Sequence, residues 1–197
     1  MSNWIQTFSG KKLDPLNPQP QSLDIESIVH ALTNVCRWGG HCKIHWSVAQ
    51  HSILVSDILR HQGHSEEIQF WGLMHDAAEA YLGDVCRPVK KRIGFEKYES
   101  PLLKAILRHV ANLSGEIPEV VHQADNIALV SEASLLFDAP VDKWTEKYHI
   151  EPWPLLDMRF GPEGWRHFKE EDGVLVAWKP GMIKSAFFKR FGFLRWR

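Results

Sequence analysis

A chain of 197 residues with 44% hydrophobic and 11% aromatic residues can pack a single domain, and its 24% charged residues argue against disorder. The formal net charge of −1 argues against a nucleic-acid binder built on an overall positive field, although a local basic pocket would suffice for a small anion. Three cysteines without a CxxC pair, no apolar leader in MSNWIQTFSG and no run of membrane-spanning length predict a reduced, cytoplasmic chain free of membranes.

Residues 1–23 are rich in Pro, Asn and Gln, with WIQTF as a short strand or anchor. DIESIVHALTNVCRW then sets Ile25, Ile28, Val29 and Leu32 at helical spacing. The paired glycines of RWGGHCKIHW mark a loop. SVAQHSILVSDILRHQ is a second helix, with Val48, Val55 and Ile58 on one face. EEIQFWGLMHDAAEAYL is a third, continuous up to a terminator at Gly83. Pro88 makes GDVCRPVKKRIGF irregular. SPLLKAILRHVANLSG is a fourth helix, with Pro101 in its first turn and Gly115 past its end, and PEVVHQADNIALVSEASLLF is a fifth.

From about residue 138 the texture changes, and five of the nine tryptophans lie beyond that point. VLVAW reads there as a strand, and GMIKSAFFKRF as a helix with Met182, Ile183, Ala186 and Phe187 as its apolar stripe. The predicted architecture is all-α and bundle-like, with minor short strands. It is a single domain with a helical core over residues 24–137 and a Trp-rich C-terminal extension over residues 138–197.

The stretch MHDAAEAYLGD sits awkwardly in that scheme. On a continuous helix His75, Asp76 and Glu79 fall within about 100° of one another, on a face whose preceding turn carries Ile68 and Trp71. His51 shares a face with Val48, Val55 and Ile58, and Asp125 with Val121, Ala128 and Leu129. Buried ionisable groups are unfavourable unless paired, hydrogen-bonded or bound to a metal. Taken singly, His51 is more often a hydrogen-bonded core residue, and Asp125 a cap or half of an ion pair. Together, two imidazoles and two carboxylates from three helices can converge on one divalent cation. Such a nitrogen and oxygen set suits Mn, Fe, Co, Ni or Zn, admits Mg, and leaves coordination positions open.

In chain order, His51 in SVAQHS, His75-Asp76 in LMHDAAEAYLGD and Asp125 in QADNIALVSEA form an H…HD…D series. The chain thereby resembles the HD-domain metal-dependent phosphohydrolases. The Arg37-Trp38 pair, the HDxxE…GD…P-VK block and the AD-x-hydrophobic helix are similar to those of the bacterial 5'-deoxynucleotidase-like branch and its phage relatives, over residues 4–135. The resemblance implies a homo-oligomer, a metal held by His51, His75, Asp76 and Asp125, and Asp76 and Glu79 as catalytic carboxylates. Glu79 would activate or orient the attacking water. The resemblance also implies Arg37 and Lys90 on the phosphate, Asp84 on the sugar 3'-hydroxyl, and Trp38 as a wall of the nucleoside pocket.

Elementary chemistry stands beside that reading. Glu79, four residues from His75 and three from Asp76, suits the removal of a water proton better than direct binding of the ion. Arg37 offers a fork of donors matched to phosphate. Plainer readings stay open: Arg37 as a helix C-terminal cation, Lys90 and Lys91 as solvated charges, Asp84 as a turn residue, Trp38 as core. His41 and His45 read as solvated or loop-stabilising. The expectation is hydrolysis of a deoxynucleotide, as a mono- or triphosphate and with dATP as one variant, at one metal ion. No stable nucleic-acid or membrane partner is expected. The alternatives are hydrolysis of a cyclic nucleotide or alarmone, or a metal-stabilised nucleotide sensor without turnover.

Overall fold

The helix that carries His51 is buried on every side. Every residue of α2, Val48–His61, is shielded from solvent as far as Leu59, so α2 is the axis of the domain rather than an amphipathic wall. A capping box fixes its start: Ser47 Oγ accepts from Gln50 N at 3.2 Å, and Gln50 Oε1 accepts from Ser47 N at 3.1 Å. The computed structural model describes residues 3–138, 142–153, 169–171 and 174–195, so Trp165 and Trp196 of the tail lie outside the described residues.

Around that axis the described residues form an all-α bundle with two small hairpins. The first hairpin, β1 (Ile5–Gln6) with β2 (Lys12–Leu13), leads into α1, Ile25–Asn34, whose N-cap Asp24 accepts from Ser27 N at 2.7 Å. α3, Glu66–Met74, packs so closely on α2 that a Cβ at Gly72 would stand 2.5 Å from Leu59 Cδ1. α7, Glu119–Leu136, also packs on α2. No helix among the described residues is long and apolar enough to cross a membrane.

The third helix is not continuous, contrary to its sequence pattern. It stops at Met74, and α4, Glu79–Leu82, follows a turn in which Ala77, Glu79 and Ala80 bond through their N–H groups to carbonyls three residues back. His75 Nδ1 donates to Gly72 O at 2.7 Å, taking the carbonyl that a continuing α-helix would offer to Asp76 N. In the tighter winding residues three apart eclipse, which stacks Asp76 and Glu79 along the turn. Gly83 does end the segment, at φ 78°.

The segment expected to be irregular holds α5, Arg87–Ile93. Pro88 lies in its first turn, where no N–H is required, and Gly94 closes it in the left-handed region. α6, Glu96–Ile106, starts earlier than Pro101 suggests. Tyr98 N and Glu99 N already bond to Phe95 O, and Pro101 stands on the exposed side, where its missing N–H is tolerated. The helix continues as a π-helical turn, Leu107–Ala111.

The tail contributes to the core instead of merely extending it. α8, Asp142–Tyr148, has no apolar pattern that foretells it, and β3, Lys169–Glu171, pairs with β4, Val174–Val176. α9, Pro180–Arg195, then packs on α1, α2 and α3, burying Ile183, Ala186, Phe187, Phe191 and Leu194. Met182, expected in that stripe, is exposed because it lies about 100° around the helix from Ile183. Arg190 is buried on the same face and donates to Gln69 Oε1 at 2.8 Å and Ser56 Oγ at 3.2 Å.

Candidate metal centre

Two imidazoles and two carboxylates meet against α2. His51 Nε2, on α2, lies 3.3 Å from His75 Nε2 and 3.1 Å from Asp125 Oδ1 of α7. Asp76 Oδ2 lies 3.2 Å from His75 Nε2 and 3.5 Å from His51 Nε2. One ligand atom from each of His51, His75 and Asp125 lies within 4.8 Å of the others, a group that could hold a metal ion. Two atoms about 2.1 Å from one ion stand about 3.0 Å apart at a right angle and about 3.4 Å apart at the tetrahedral angle. The separations of 3.1, 3.2 and 3.3 Å fall in that range, and the 3.5 Å between Asp76 and His51 lies just beyond it.

The ring tautomers make the same case. His75 Nδ1 faces Gly72 O, which can only accept. His51 Nδ1 lies 2.7 Å from Glu132 Oε1. Burial raises the Glu132 carboxyl, but Arg37 and then His51 outweigh it and hold it below the usual range, so it too accepts. Both rings therefore carry a proton on Nδ1 and turn Nε2 to the same point as two carboxylate oxygens. Such a focus calls for a cation. In the metal-free protein a proton takes that part: burial lowers His75, but the Asp76 carboxylate outweighs it and pushes the ring up to about 9. Burial likewise raises Asp76, and His75, His51 and Arg37 overcome it to hold the carboxyl well below the usual range. Asp125 is held low against burial by its hydrogen bond with His51.

Glu132 has no place in the sequence-based site, yet it is the hub behind it. Wholly buried, it accepts from His51 Nδ1 at 2.7 Å, Arg37 Nε at 2.9 Å and Trp46 Nε1 at 3.0 Å. The available signal was its position seven residues after Asp125, two helical turns along the same face.

The residues expected to hold substrate divide in their placement. Arg37 is central but buried, with Nε on Glu132 and Nη1 3.7 Å from Asp76 Oδ2. Trp38 adopts φ 61°, in the left-handed region, and donates its N–H to Asp84 Oδ2 at 2.9 Å. Its ring meets Phe137 and Trp144 edge-on at 5.0 and 5.2 Å. Asp84 thus fastens the glycine loop from 46 residues along the chain, a contact that neither reading of it foresaw. Lys90 donates to Glu79 Oε1 at 2.9 Å and Glu99 Oε1 at 2.6 Å. Glu79 is buried, and its Oε2 has no hydrogen-bond partner among the described residues. Burial, and then the Asp76 carboxylate, push Glu79 well above the usual range against the pull of Lys90.

A cavity of about 660 Å³ opens on this cluster. His75, Asp76 and Asp125 form part of its lining, and Arg87, Lys90 and Lys91 of α5 form another part. Glu96 and Glu99 line it as well, and its size suits a small organic molecule.

The chain is similar to an uncharacterized protein of Rhodobacter capsulatus, 36% identical over 139 residues that cover 66% of this chain and 71% of that protein. It is also similar to the uncharacterized protein YfdR of Escherichia coli, 35% identical over 132 residues that cover 66% of this chain and 70% of YfdR. No family model matches the chain.

Proposed function

This chain belongs to the family of YfdR and the Rhodobacter capsulatus protein, and we propose for it the metal-dependent hydrolysis of a phosphate ester bond in a deoxynucleotide. The observation that carries this reading is the focus of two imidazole Nε2 atoms and two carboxylate oxygens at a cavity that α5 lines with cations. His51, His75, Asp76 and Asp125 would hold a divalent ion, with Mn, Fe, Co, Ni or Zn the best match to the donors and Mg admitted. When bound, such an ion supplies positive charge to a phosphoryl oxygen and lowers the pKa of a water.

Glu79 is the proton carrier in this reading. Its free Oε2 and raised proton affinity suit a carboxyl that takes a proton from the attacking water and returns it to the leaving oxygen. Lys90 holds Oε1 and so orients the group. The resemblance to HD-domain phosphohydrolases favours a deoxynucleotide among phosphate esters, and a cavity of about 660 Å³ supports a substrate of nucleotide size.

The test is chromatography of products from deoxynucleoside mono-, di- and triphosphates, cyclic nucleotides and alarmones, with Mn, Co or Mg supplied separately. Metal-stimulated turnover of at least one deoxynucleotide is expected. No turnover of any at substantial enzyme concentration sinks the reading, and turnover of cyclic nucleotides or alarmones alone moves the activity to those compounds.

A further inference from the structure

We propose that Arg87 is a phosphate-binding residue, held beside the metal centre by Asp125 and turned to the substrate when that carboxylate is neutralised by a cation. This inference rests on the phosphohydrolase reading and adds to it a residue that the resemblance does not assign.

α5 carries Arg87, Lys90 and Lys91 at i, i+3 and i+4, on one face, and all three line the cavity. Of the neighbouring cations, Lys90 and Arg37 are committed elsewhere, and Lys91 is exposed at the cavity's edge. The Lys90 ammonium sits between Glu79 and Glu99, at 2.9 and 2.6 Å. Arg37 is buried with its Nε on Glu132. The Arg87 side chain, in contrast, is 45% exposed. It donates from Nη2 to Asp125 Oδ2 at 2.6 Å and from Nη1 to Asn126 Oδ1 at 2.8 Å, and it lies 5.9 Å from the centre of the Tyr148 ring. A guanidinium has five N–H donors, so these contacts fix its plane and leave donors to offer.

Asp125 is the link between Arg87 and the site. Its Oδ1 lies 3.1 Å from His51 Nε2, at the focus, while its Oδ2 faces Arg87. One carboxylate therefore serves both the metal position and the guanidinium. A divalent charge at Oδ1 competes for the negative charge that holds Arg87 and weakens that hold. Arg87, still anchored by Asn126 and Tyr148, then presents a planar fork whose geometry matches a phosphate group.

The experiment is titration of inorganic phosphate into the Mn-loaded full chain, followed by paramagnetic broadening of the phosphorus NMR line, with metal content measured on the same samples. The wild type is expected to bind phosphate, and Arg87→Gln to bind it about tenfold more weakly at unchanged metal content. Equal phosphate affinity in the two proteins overturns the assignment of Arg87 and leaves the phosphohydrolase reading standing. Loss of Mn from Arg87→Gln also overturns it, because Arg87 would then act only by positioning Asp125. A wild-type protein that holds Mn and binds no phosphate also overturns the assignment, while turnover of the nucleotide panel decides the phosphohydrolase reading separately.

Discussion

Glu132 accepts a 2.7 Å hydrogen bond from His51 Nδ1, with both side chains wholly shut off from solvent. The same carboxylate receives Arg37 Nε and Trp46 Nε1. One acidic side chain on α7 thus sets the plane of the imidazole on α2 and balances a buried guanidinium.

Glu132→Gln keeps the shape of the side chain and gives up its charge. Metal affinity is expected to fall about 10- to 100-fold, the usual consequence of altering a residue that orients a ligating imidazole. Glu132→Ala also leaves Arg37 buried without its partner, and should destabilise the fold by about 3–5 kcal/mol. Metal titration and urea unfolding separate the two effects. Unchanged metal affinity in the Gln variant would remove Glu132 from the site.

In metal-free protein, His75 is pushed up to about 9 by Asp76 in spite of burial, so the folded state binds this proton more tightly than the unfolded state. A raised pKa contributes stability that is fully present below the ordinary imidazole value of 6.5 and is lost as pH rises through about 9. The melting temperature of chelator-treated protein is therefore expected to fall across that interval. Metal binding displaces the proton, so the stabilisation by added Mn should grow as pH rises. A chelated protein whose melting temperature climbs over the same interval contradicts this account.

Glu79→Gln is expected to keep the fold and the metal and to lose turnover by about 100- to 10,000-fold. Lys90→Met tests the same group by another route. Lys90 opposes burial and Asp76 in setting the Glu79 carboxyl, so its removal raises that carboxyl further. A base acts only when deprotonated, and the acidic limb of the rate profile is expected to move to higher pH. A limb that stays in place or moves to lower pH argues against Glu79 as the base.

Gly72→Ala would put a Cβ 2.5 Å from Leu59 Cδ1, 3.3 Å from Val55 Cγ1 and 3.4 Å from the Ser56 Cα. Overpacking there should destabilise the protein by about 1–3 kcal/mol, beyond what the better helix propensity of Ala returns. Since Gly72 O also receives His75 Nδ1, metal affinity should weaken with stability. An unchanged urea midpoint would show that α2 and α3 separate there without resistance.

The candidate ligand set is readable from sequence because His51, His75 and Asp125 stand at helical spacings otherwise filled mostly by apolar residues. Glu132 stands at such a spacing too, but Ser131 and Ser134 beside it blur the apolar face. The tight turn after Met74 is not readable, because Ala77, Ala78, Glu79 and Ala80 are strong helix formers. A side-chain hydrogen bond from His75 to Gly72 O overrides that preference, and propensity does not contain it. α5 is hidden by Pro88, since a proline that opens a helix and one that breaks it look alike until the helix is seen. The inward turn of Arg37 and the clasp of Trp38 by Asp84 depend on the path of the loop between Cys36 and Ser47, which pair across its base. That is long-range information, and residue spacing does not carry it.

The buried face of α9 lies in one core with Ile28 and Leu32 of α1, although about 150 residues separate the two helices along the chain. Closing so long a loop is opposed by chain entropy until the helices between them have formed and shortened it. The segments that carry the candidate ligands, on α2, on α7 and in the turn after α3, can meet before α9 arrives, and Arg190 then locks onto Ser56 and Gln69. The order of assembly follows: in refolding followed by pulsed hydrogen exchange, the amides of α2 should gain protection before those of α9.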